Sequence, residues 1–424
     1  LIGGTSLSSR NVIINNANRF EHNIRTLNSN NVVIQGNYVG VTANGTVAVE
    51  PDLSSGIILI GSDNATVGGT QPEAANVIGG GPNGINLFGA ANATVYGNRI
   101  EQTTNEGIDL NAGAQDNQIG GVNEGEGNLI TNSFKGVEVS ANSIENPIRG
   151  NSMLNNTGLG IDLDDDGAIN PNDNLDGDTG GNDLQNFPVL TSADGEEIAG
   201  TLNTTPFGLY TIDFYASQTN TPGQGELYLG SQIATPDGTG NATFTFTSPS
   251  IFDHPFITAT ATDFGGNTSE FSATIQRVET VKITTIAPTA DENTPTNGVY
   301  RVERDDTTNA RTIQIDLSGE ARLGDDFNLV ASAGTLNTIT ATRVELVMPV
   351  GTGSVDLTLQ PIDDILAEAA ETAVLSLVAQ ADYGIDRTDN TGTVTIGFND
   401  FVVVDPANEG QGTLRHAILN AIAA

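Results

Sequence analysis

The sequence predicts an all-β protein, in which a right-handed parallel β-helix is followed by two antiparallel β-sandwich domains and a short C-terminal helix. Three observations support this prediction. Short apolar segments recur at a near-constant spacing in the first part of the chain, and segments of alternating polarity follow where the Asn content falls. Only the end of the chain has apolar residues at helical spacing.

Residues 1–186 are predicted to form the β-helix. Related four-residue segments begin at Gly56, Gly84, Gly107, Gly136 and Gly160, so they are separated by 28, 23, 29 and 24 residues. Short β-branched segments broken by Gly and Asn, with no helical period, are typical of coils stacked at about 4.8 Å. We expect equivalent Asn side chains of successive coils to form hydrogen-bonded ladders, because Asn also tolerates the left-handed turns between strands.

The remaining chain divides into three predicted regions. Residues 187–278 contain alternating segments such as LYTIDFYAS and GNATFTFTS, which predict an Ig-like sandwich. Residues 279–400 contain a second, more acidic set, including RTIQIDLSG and GSVDLTLQPI, which predicts another sandwich. Residues 401–424 are expected to supply a strand and a helix, because the apolar residues there have helical spacing: Leu414, Ala417, Ile418, Ala421 and Ile422.

Charge narrows the possible partners. The 52 Asp and Glu residues outnumber the 15 Lys and Arg residues, which gives a formal net charge of −37. Such a surface excludes nucleic acid as a partner and attracts cations, above all Ca²⁺, whose ligands are carboxylate and carbonyl oxygens. The chain contains no Cys, so disulfides and thiolate metal sites are excluded. Its apolar runs are far shorter than the roughly 20 residues of a transmembrane segment.

The first 190 residues, with the segments GNYVG, GGTQPEAANVI and GNRI, resemble the β-helix units of very large bacterial surface proteins. The segment ATDFGGNTSEFS from Ala261 is similar to the end of the Ig-like domain in that family. Residues 401–424 resemble the opening of a further β-helix of the CSLREA type, with TLRHAI in place of that motif. This resemblance implies a secreted, cell-surface protein with a structural or adhesive role. Head-to-tail association of copies is a further hypothesis, in which residues 401–424 cap the chain or continue onto Leu1 of a following copy.

The third region resembles a Calx-beta domain. The resemblance rests on GDDF from Gly324, DDILAEAAET from Asp363 and TVTIGFND, which ends at Asp400. It implies that acidic residues gather at one end of the sandwich and bind Ca²⁺: Glu292, Asp326, Asp363, Asp364, Glu368 and Asp400. Where the family often has three consecutive acids, this chain has Phe398, Asn399 and Asp400. An acidic loop end without an ion is therefore the alternative.

A second candidate calcium site lies at the end of the predicted β-helix. Asp162, Asp164, Asp166 and Gly167 have the D-x-D-x-D-G spacing of an EF-hand loop, and Asp173 follows eleven residues after the first acid. Alternating acids can converge on one cation because the Gly permits a tight turn. The alternative is a solvated acidic turn that ends the β-helix.

The β-helix segments also align one polar position of each coil: Asn86, Asp109, Glu138 and Asp162. We expect these side chains to point outward on an exposed face, with carboxylates at separations that glycoside hydrolases use. Lys135 and Arg149 are the basic residues that could approach them. Because so few basic residues could approach these carboxylates, we favour a solvated or cation-bridged row of acids over a catalytic one.

We therefore predict an extracellular structural or adhesive segment that calcium makes rigid, and not an enzyme. One competing hypothesis is a polysaccharide-processing glycosidase or lyase that uses Asp109, Glu138 and Asp162. Another is a glycan-binding module, which the absence of Trp disfavours. Calcium is the one cofactor predicted.

Overall fold

The computed structural model is all-β, as the sequence predicts, with parallel sheets followed by antiparallel ones. It contains two compact units, residues 1–277 and 278–424. The boundary expected near residue 186 lies inside the first unit. The structure describes these residues: 1–14, 22–47, 55–194, 197–221, 223–247, 254–292, 296–362, 369–380, 382–386, 388–397 and 418.

Three parallel sheets, named A, B and C, form the β-helix. Sheet A contains Ile2–Gly3, Val33–Gln35, Thr66–Gly68, Thr94–Tyr96 and Gln118–Ile119. Sheet B contains Val12–Ile13, Tyr38–Val39, Val77–Gly79, Arg99–Glu101, Leu129–Thr131 and Ser152–Leu154. Sheet C contains His22–Leu27, Ser55–Ile60, Ile85–Phe88, Glu106–Asn111, Lys135–Val139 and Ile161–Leu163. The predicted segments therefore stack as neighbours in sheet C. Short 3₁₀ turns lie at Leu7–Ser9, Pro72–Ala74 and Gly181–Leu184, the last with left-handed residues inside it.

The interior of the β-helix is apolar and is bordered by the expected Asn ladder. Ile57, Ile85, Ile108 and Val137 occupy equivalent positions of sheet C and are fully buried. The ladder runs along the turns before sheet B, where each side-chain amide donates to the next at 2.9 to 3.0 Å: Asn11, Asn37, Asn76, Asn98, Asn128 and Asn151. A second, shorter ladder joins Asn117, Asn146 and Asn182. Buried polar groups of the turns are thus satisfied by their counterparts in adjacent coils.

The first unit also contains an antiparallel sandwich. One sheet contains Val189–Asp194, Glu197–Asn203 and Asn241–Thr247. The other contains Leu227–Ala234, Tyr210–Ser217, Phe256–Thr262 and Ile275–Gln276. Its own core includes Ile212, Phe214 and Ile257. Tyr215 and Phe271 instead pack into the apolar core of the β-helix, so the two parts of this unit share buried surface.

Sandwich residues close the last coil of the β-helix. Backbone N–H groups of Met153 and Gly160 donate to the carbonyl oxygens of Gly225 and Gly223, at 2.8 and 2.6 Å. An open edge of a parallel sheet would expose unpaired backbone groups and invite association with other chains. Here the sandwich supplies the missing partners.

A buried ion pair reinforces this closure. The guanidinium of Arg149, from the β-helix, forms two hydrogen bonds of 2.6 and 2.7 Å with the carboxylate of Asp213, from the sandwich. Asp213 is fully buried. Arg149 is therefore engaged here and not beside the polar row of sheet C.

The second unit is an antiparallel sandwich with its own core. One sheet contains Phe327–Ala331, Ser354–Pro361, Gly298–Arg304, Glu279–Ala287 and Tyr383–Ile385. The other contains Thr289–Ala290, Thr391–Ile396, Glu371–Leu377, Arg311–Gly319, Arg343–Met348 and Thr335–Thr340. Alternate residues of these strands, such as Val302, Ile313 and Leu346, are fully buried. The period of two that predicted the strands therefore also places their core residues.

The strand and helix predicted for residues 401–424, and any association through them, lie outside the described residues except for Ile418. In the described part of the chain, no helix has the length and hydropathy that crossing a bilayer requires.

Substitution of a ladder amide should destabilise the first unit. Asn98 donates to the carbonyl oxygen of Val67 and to Asn128, and it accepts from Asn76. Asn98→Ala leaves these buried groups without partners, so we expect a loss of about 1 to 3 kcal/mol in the free energy of unfolding. Chemical denaturation followed by circular dichroism measures it. Exposed Asn105→Ala is the control and should change stability by less than about 0.5 kcal/mol. Equal effects of the two substitutions would contradict a stabilising ladder.

Loss of the ion pair between Arg149 and Asp213 should destabilise the first unit more than loss of a ladder amide. Arg149→Ala leaves Asp213 buried and uncompensated, and we expect about 3 to 5 kcal/mol of destabilisation of the first unit in the same denaturation experiment. The matched control is Arg301→Ala in the second unit. Arg301 also forms two hydrogen bonds with one carboxylate, that of Asp356, but both side chains are at least one-third exposed. Removal of that exposed pair should cost far less, because solvent and salt screen it.

Candidate metal centres

The acids of the predicted EF-hand-like loop do not share one partner. The carboxylate of Asp162 lies 2.5 Å from the ammonium group of Lys135. Asp164 accepts a hydrogen bond of 2.6 Å from the backbone N–H of Gly181. Asp166 accepts from the N–H two residues ahead, at position 168, and Asp173 accepts from position 177. These contacts order the segment without an ion, and the calcium loop of Asp162, Asp164, Asp166 and Asp173 stays a prediction.

A tighter acidic group lies a few residues further on. Oxygen atoms of Asp173, Asp176 and Asp178 lie within 4.8 Å of one another, and we name these three residues the junction cluster. Asp176 accepts hydrogen bonds from the N–H of Asn186 at 2.7 Å and from the hydroxyl of Thr204 at 2.9 Å. Because Thr204 belongs to the sandwich, the cluster lies where the chain passes from the β-helix to the sandwich.

The junction cluster fits a hard divalent cation. Burial, together with the neighbouring carboxylates of Asp173 and Asp178, raises the pKa of Asp176 to about 6. Desolvation, followed by Asp173, raises the pKa of Asp178. Both shifts mean that the ionised cluster is unfavourable on its own, and a cation would relieve the repulsion. Carboxylate oxygens are also the ligand type that Ca²⁺ prefers.

The polar positions of sheet C align as predicted. Asn86 is opposite Asp109, Asp109 is opposite Glu138, and Glu138 is opposite Asp162 in adjacent strands. We name these four residues the polar row. Their neighbours along each strand are core residues such as Ile108, so the row points away from the apolar interior.

The expectation that this face is exposed is wrong. Asn86, Asp109, Glu138 and Asp162 are between 0 and 8% exposed. Side chains of the same coils cover the row, because Lys135 lies across one end and amide side chains surround Asp109 at the other. A polysaccharide therefore cannot reach the carboxylates, which disfavours the catalytic alternative.

Lys135 neutralises one end of the polar row. Its ammonium group forms ion pairs with Asp162 and Asp165 and lies 3.5 Å from Glu138. These carboxylates raise the pKa of Lys135 despite its burial. The sequence identified Lys135 as able to approach the row, and the structure confirms it.

Two acids in the middle of the polar row carry raised pKa values. Burial, together with Glu106 and Asp109, raises the pKa of Glu138 to about 8. Burial and the charge of Glu106 raise the pKa of Asp109 to about 7. Oxygen atoms of Glu106, Glu138 and Asp165 lie within 4.8 Å of one another, so this group is a second place where a cation could bind.

Sequence reasoning missed several members of these sites. Glu106 aligns with Lys135 in adjacent strands, one residue before the recurring Gly, and this shared position was a usable signal. Glu270 had no such signal. It lies in the sandwich but accepts hydrogen bonds from the N–H groups of Leu163 and Asn170, and burial raises its pKa to about 8. Only the docking of the sandwich on the β-helix brings it there.

The Calx-beta-like acids are only partly within the described residues. Glu292 is 4% exposed. The carboxylate of Asp326 accepts a hydrogen bond of 2.6 Å from the N–H of Arg322, and its backbone oxygen accepts from the N–H of Ile362. Outside the described residues lie the remaining predicted ligands, Asp363, Asp364, Glu368 and Asp400. A calcium site in this unit stays a prediction.

Comparison with known proteins gives similarity to solved structures alone. No protein-family model and no curated protein matches the sequence. The apo form of the Calx CBD1 domain is 19% identical over 29% of this chain and 100% of its own, with a TM-score of 0.22. The calcium binding domain CBD12 of CALX1.1 is 8% identical over 47% of this chain and 92% of its own, with a TM-score of 0.19.

A collagen adhesin from S. aureus is 10% identical over 51% of this chain and 94% of its own, with a TM-score of 0.16. Because these TM-scores are low, we base the proposed function on side-chain geometry and charge.

The raised pKa values predict an unusual dependence of stability on pH. A carboxyl group whose pKa is raised by folding stabilises the protein below its unfolded pKa, and this contribution is lost as the pH rises through the folded value. For Asp109 and Glu138, the loss should extend from about pH 4 to about pH 8. In EDTA, the melting temperature of the first unit should therefore fall between about pH 5.5 and pH 8.

Glu138→Gln should reduce this fall, because it removes one of the titrating groups. The slope that one group contributes is at most about 1.4 kcal/mol per pH unit. Exposed Glu124→Gln, which removes one negative charge from the surface, is the control for net charge. A melting temperature that rises with pH in EDTA would show that the row does not titrate in this way.

Proposed function

We propose that this chain is an extracellular structural or adhesive segment of a bacterial surface protein, and that calcium makes it rigid. The observation that carries this proposal is the junction cluster. Three carboxylates, those of Asp173, Asp176 and Asp178, converge within 4.8 Å at the passage from β-helix to sandwich. An ion there would fix the connection between two parts of the first unit.

The composition supports the extracellular setting. With a net charge of −37, the chain repels itself, and divalent cations at the millimolar concentrations found outside cells would offset that repulsion. Weak sites suffice under those conditions. The all-β architecture, closed at the sandwich end of the β-helix, suits a mechanical role, because its core is continuous along the stacked coils.

Further calcium sites are part of this proposal. They are the EF-hand-like loop with Asp162, Asp164 and Asp166 and the Calx-beta-like acids of the second unit. Head-to-tail association through residues 401–424 would build a filament, and it is proposed on the resemblance alone. Glycan processing is disfavoured by the burial of Asp109, Glu138 and Asp162.

Calcium should stabilise the first unit through the junction cluster. At a free concentration of ten times the Kd, one site contributes about 1.4 kcal/mol, and MgCl₂ at equal ionic strength should contribute less. Differential scanning calorimetry in EDTA, MgCl₂ and CaCl₂ measures the shift. A melting temperature that is equal in the three solutions would refute the proposal.

Asp178→Asn locates the effect, because Asp176 also holds backbone and hydroxyl groups and its substitution would confound folding with binding. We expect two opposite changes. In EDTA, Asp178→Asn should be at least as stable as the parent chain, since one of three repelling charges is gone. In CaCl₂ it should gain less stability than the parent. Glu124→Gln, the control for net charge, should retain the full calcium effect.

A further inference from the structure

The carboxylates at the two ends of the polar row have different charged neighbours. At one end, the ammonium group of Lys135 forms ion pairs with Asp162 and Asp165. At the other end, the charged side chains that act most strongly on Asp109 are Glu106 and Asp165, and both are acidic. Asp109 is 5% exposed, so water screens its charge poorly.

Three amide side chains surround the carboxylate of Asp109. Asn83 donates a hydrogen bond to it at 3.0 Å, and Asn111 donates at 2.8 and 2.9 Å. Asn86, from the adjacent coil, also donates to it. Four side chains from two coils thus converge on one small polar pocket, which we name the Asp109 pocket.

This arrangement leaves amide oxygens without partners. The side-chain carbonyl oxygens of Asn86 and Asn111 are buried and have no hydrogen-bond partner, and Asn86 is only 8% exposed. Buried polar atoms in folded proteins are rarely left unpaired, so each such atom needs an explanation. An amide that turns its NH₂ group toward the carboxylate leaves its carbonyl oxygen unpaired.

A half-turn rotation of these amide groups would exchange the positions of their NH₂ groups and carbonyl oxygens. The NH₂ and C=O groups of Asn have nearly the same shape, so the exchange needs little space. Carbonyl oxygens would then point at the carboxylate, which is favourable only if a cation lies between them. Three amide oxygens and a carboxylate provide up to five oxygen ligands, and water would complete the six to eight that Ca²⁺ takes.

We propose that the Asp109 pocket is a second, separate site for a divalent cation of the calcium class, with Asp109, Asn83, Asn86 and Asn111 as its ligands. The ion would join two successive coils of sheet C, because Asn86 lies in one coil and Asp109 in the next. It would also supply at this end of the row the positive charge that Lys135 supplies at the other.

The test counts calcium bound to the whole chain and compares two isosteric substitutions with opposite expected effects. Metal-free protein is dialysed against CaCl₂, and bound calcium is measured by mass spectrometry and by titration calorimetry. Asp109→Asn removes the carboxylate and should lower the bound calcium by about one ion per chain. Circular dichroism in EDTA verifies that this variant folds. An unchanged ion count would overturn the proposal.

Asn86→Asp keeps the shape of the side chain and adds a carboxylate that faces Asp109. In EDTA this variant should melt at a lower temperature than the parent, because two buried carboxylates repel each other. In CaCl₂ it should regain that stability and bind the ion at least about tenfold more tightly, since ligand charge raises calcium affinity. Destabilisation that calcium does not reverse would show that the pocket is only a hydrogen-bonded cluster.

The junction cluster serves as the internal reference. Asp178→Asn should remove a different ion, so the double variant with Asp109→Asn should lose about two ions per chain. The Asp109 pocket fails if Asp109→Asn leaves the count unchanged while Asp178→Asn lowers it. The junction cluster fails on the reverse result, so the two proposals are tested independently.

Discussion

In-register stacking of parallel coils is the constraint on which the first unit depends. Strands of adjacent coils lie about 4.8 Å apart, so a residue type that recurs at one position meets its own copy in the next coil. For Ile and Val this repetition builds a continuous apolar core, and for Asn it builds a ladder in which each amide donates to the next. For acids the same repetition places like charges side by side, so the polar row needs neutralising groups at every step.

Different groups neutralise the acids at different positions of the polar row. Lys135 replaces the acid that the preceding coil carries at the equivalent position, where Glu106 lies, and it thereby pairs with Asp162. Amide side chains surround Asp109. Where neither the Lys135 ammonium group nor the amides offset the negative charge, a carboxyl group keeps its proton to a higher pH. The pKa of Glu138 accordingly rises to about 8. A cation and a proton are alternatives at such positions, so the calcium dependence that we propose would be linked to the pH dependence of stability.

The sandwich of the first unit has a structural task that its sequence does not reveal. It closes the last coil with backbone hydrogen bonds, contributes Tyr215 to the core of the β-helix and buries Asp213 against Arg149. The junction cluster lies at the same boundary. Metal binding at the junction cluster would act on the connection through which any force passes between the β-helix and the sandwich. This fits a calcium-dependent stiffness better than a purely local stabilisation.

The sequence by itself determined the all-β class, the spacing of the coils, the Asn ladder and the alignment of Asn86, Asp109, Glu138 and Asp162, because these features follow from local periodicity. It also identified Lys135 and Arg149 as the basic residues that could approach the row. Tertiary structure alone decided that the row is buried, that Arg149 turns to the sandwich, and that Asp173 converges with Asp176 and Asp178. It also decided that Asp162 pairs with Lys135, while Asp164 and Asp166 accept hydrogen bonds from backbone groups. The physical reason is that burial and charge pairing depend on which segments pack over a face, and those segments are distant in sequence, as Glu270 and Leu163 are.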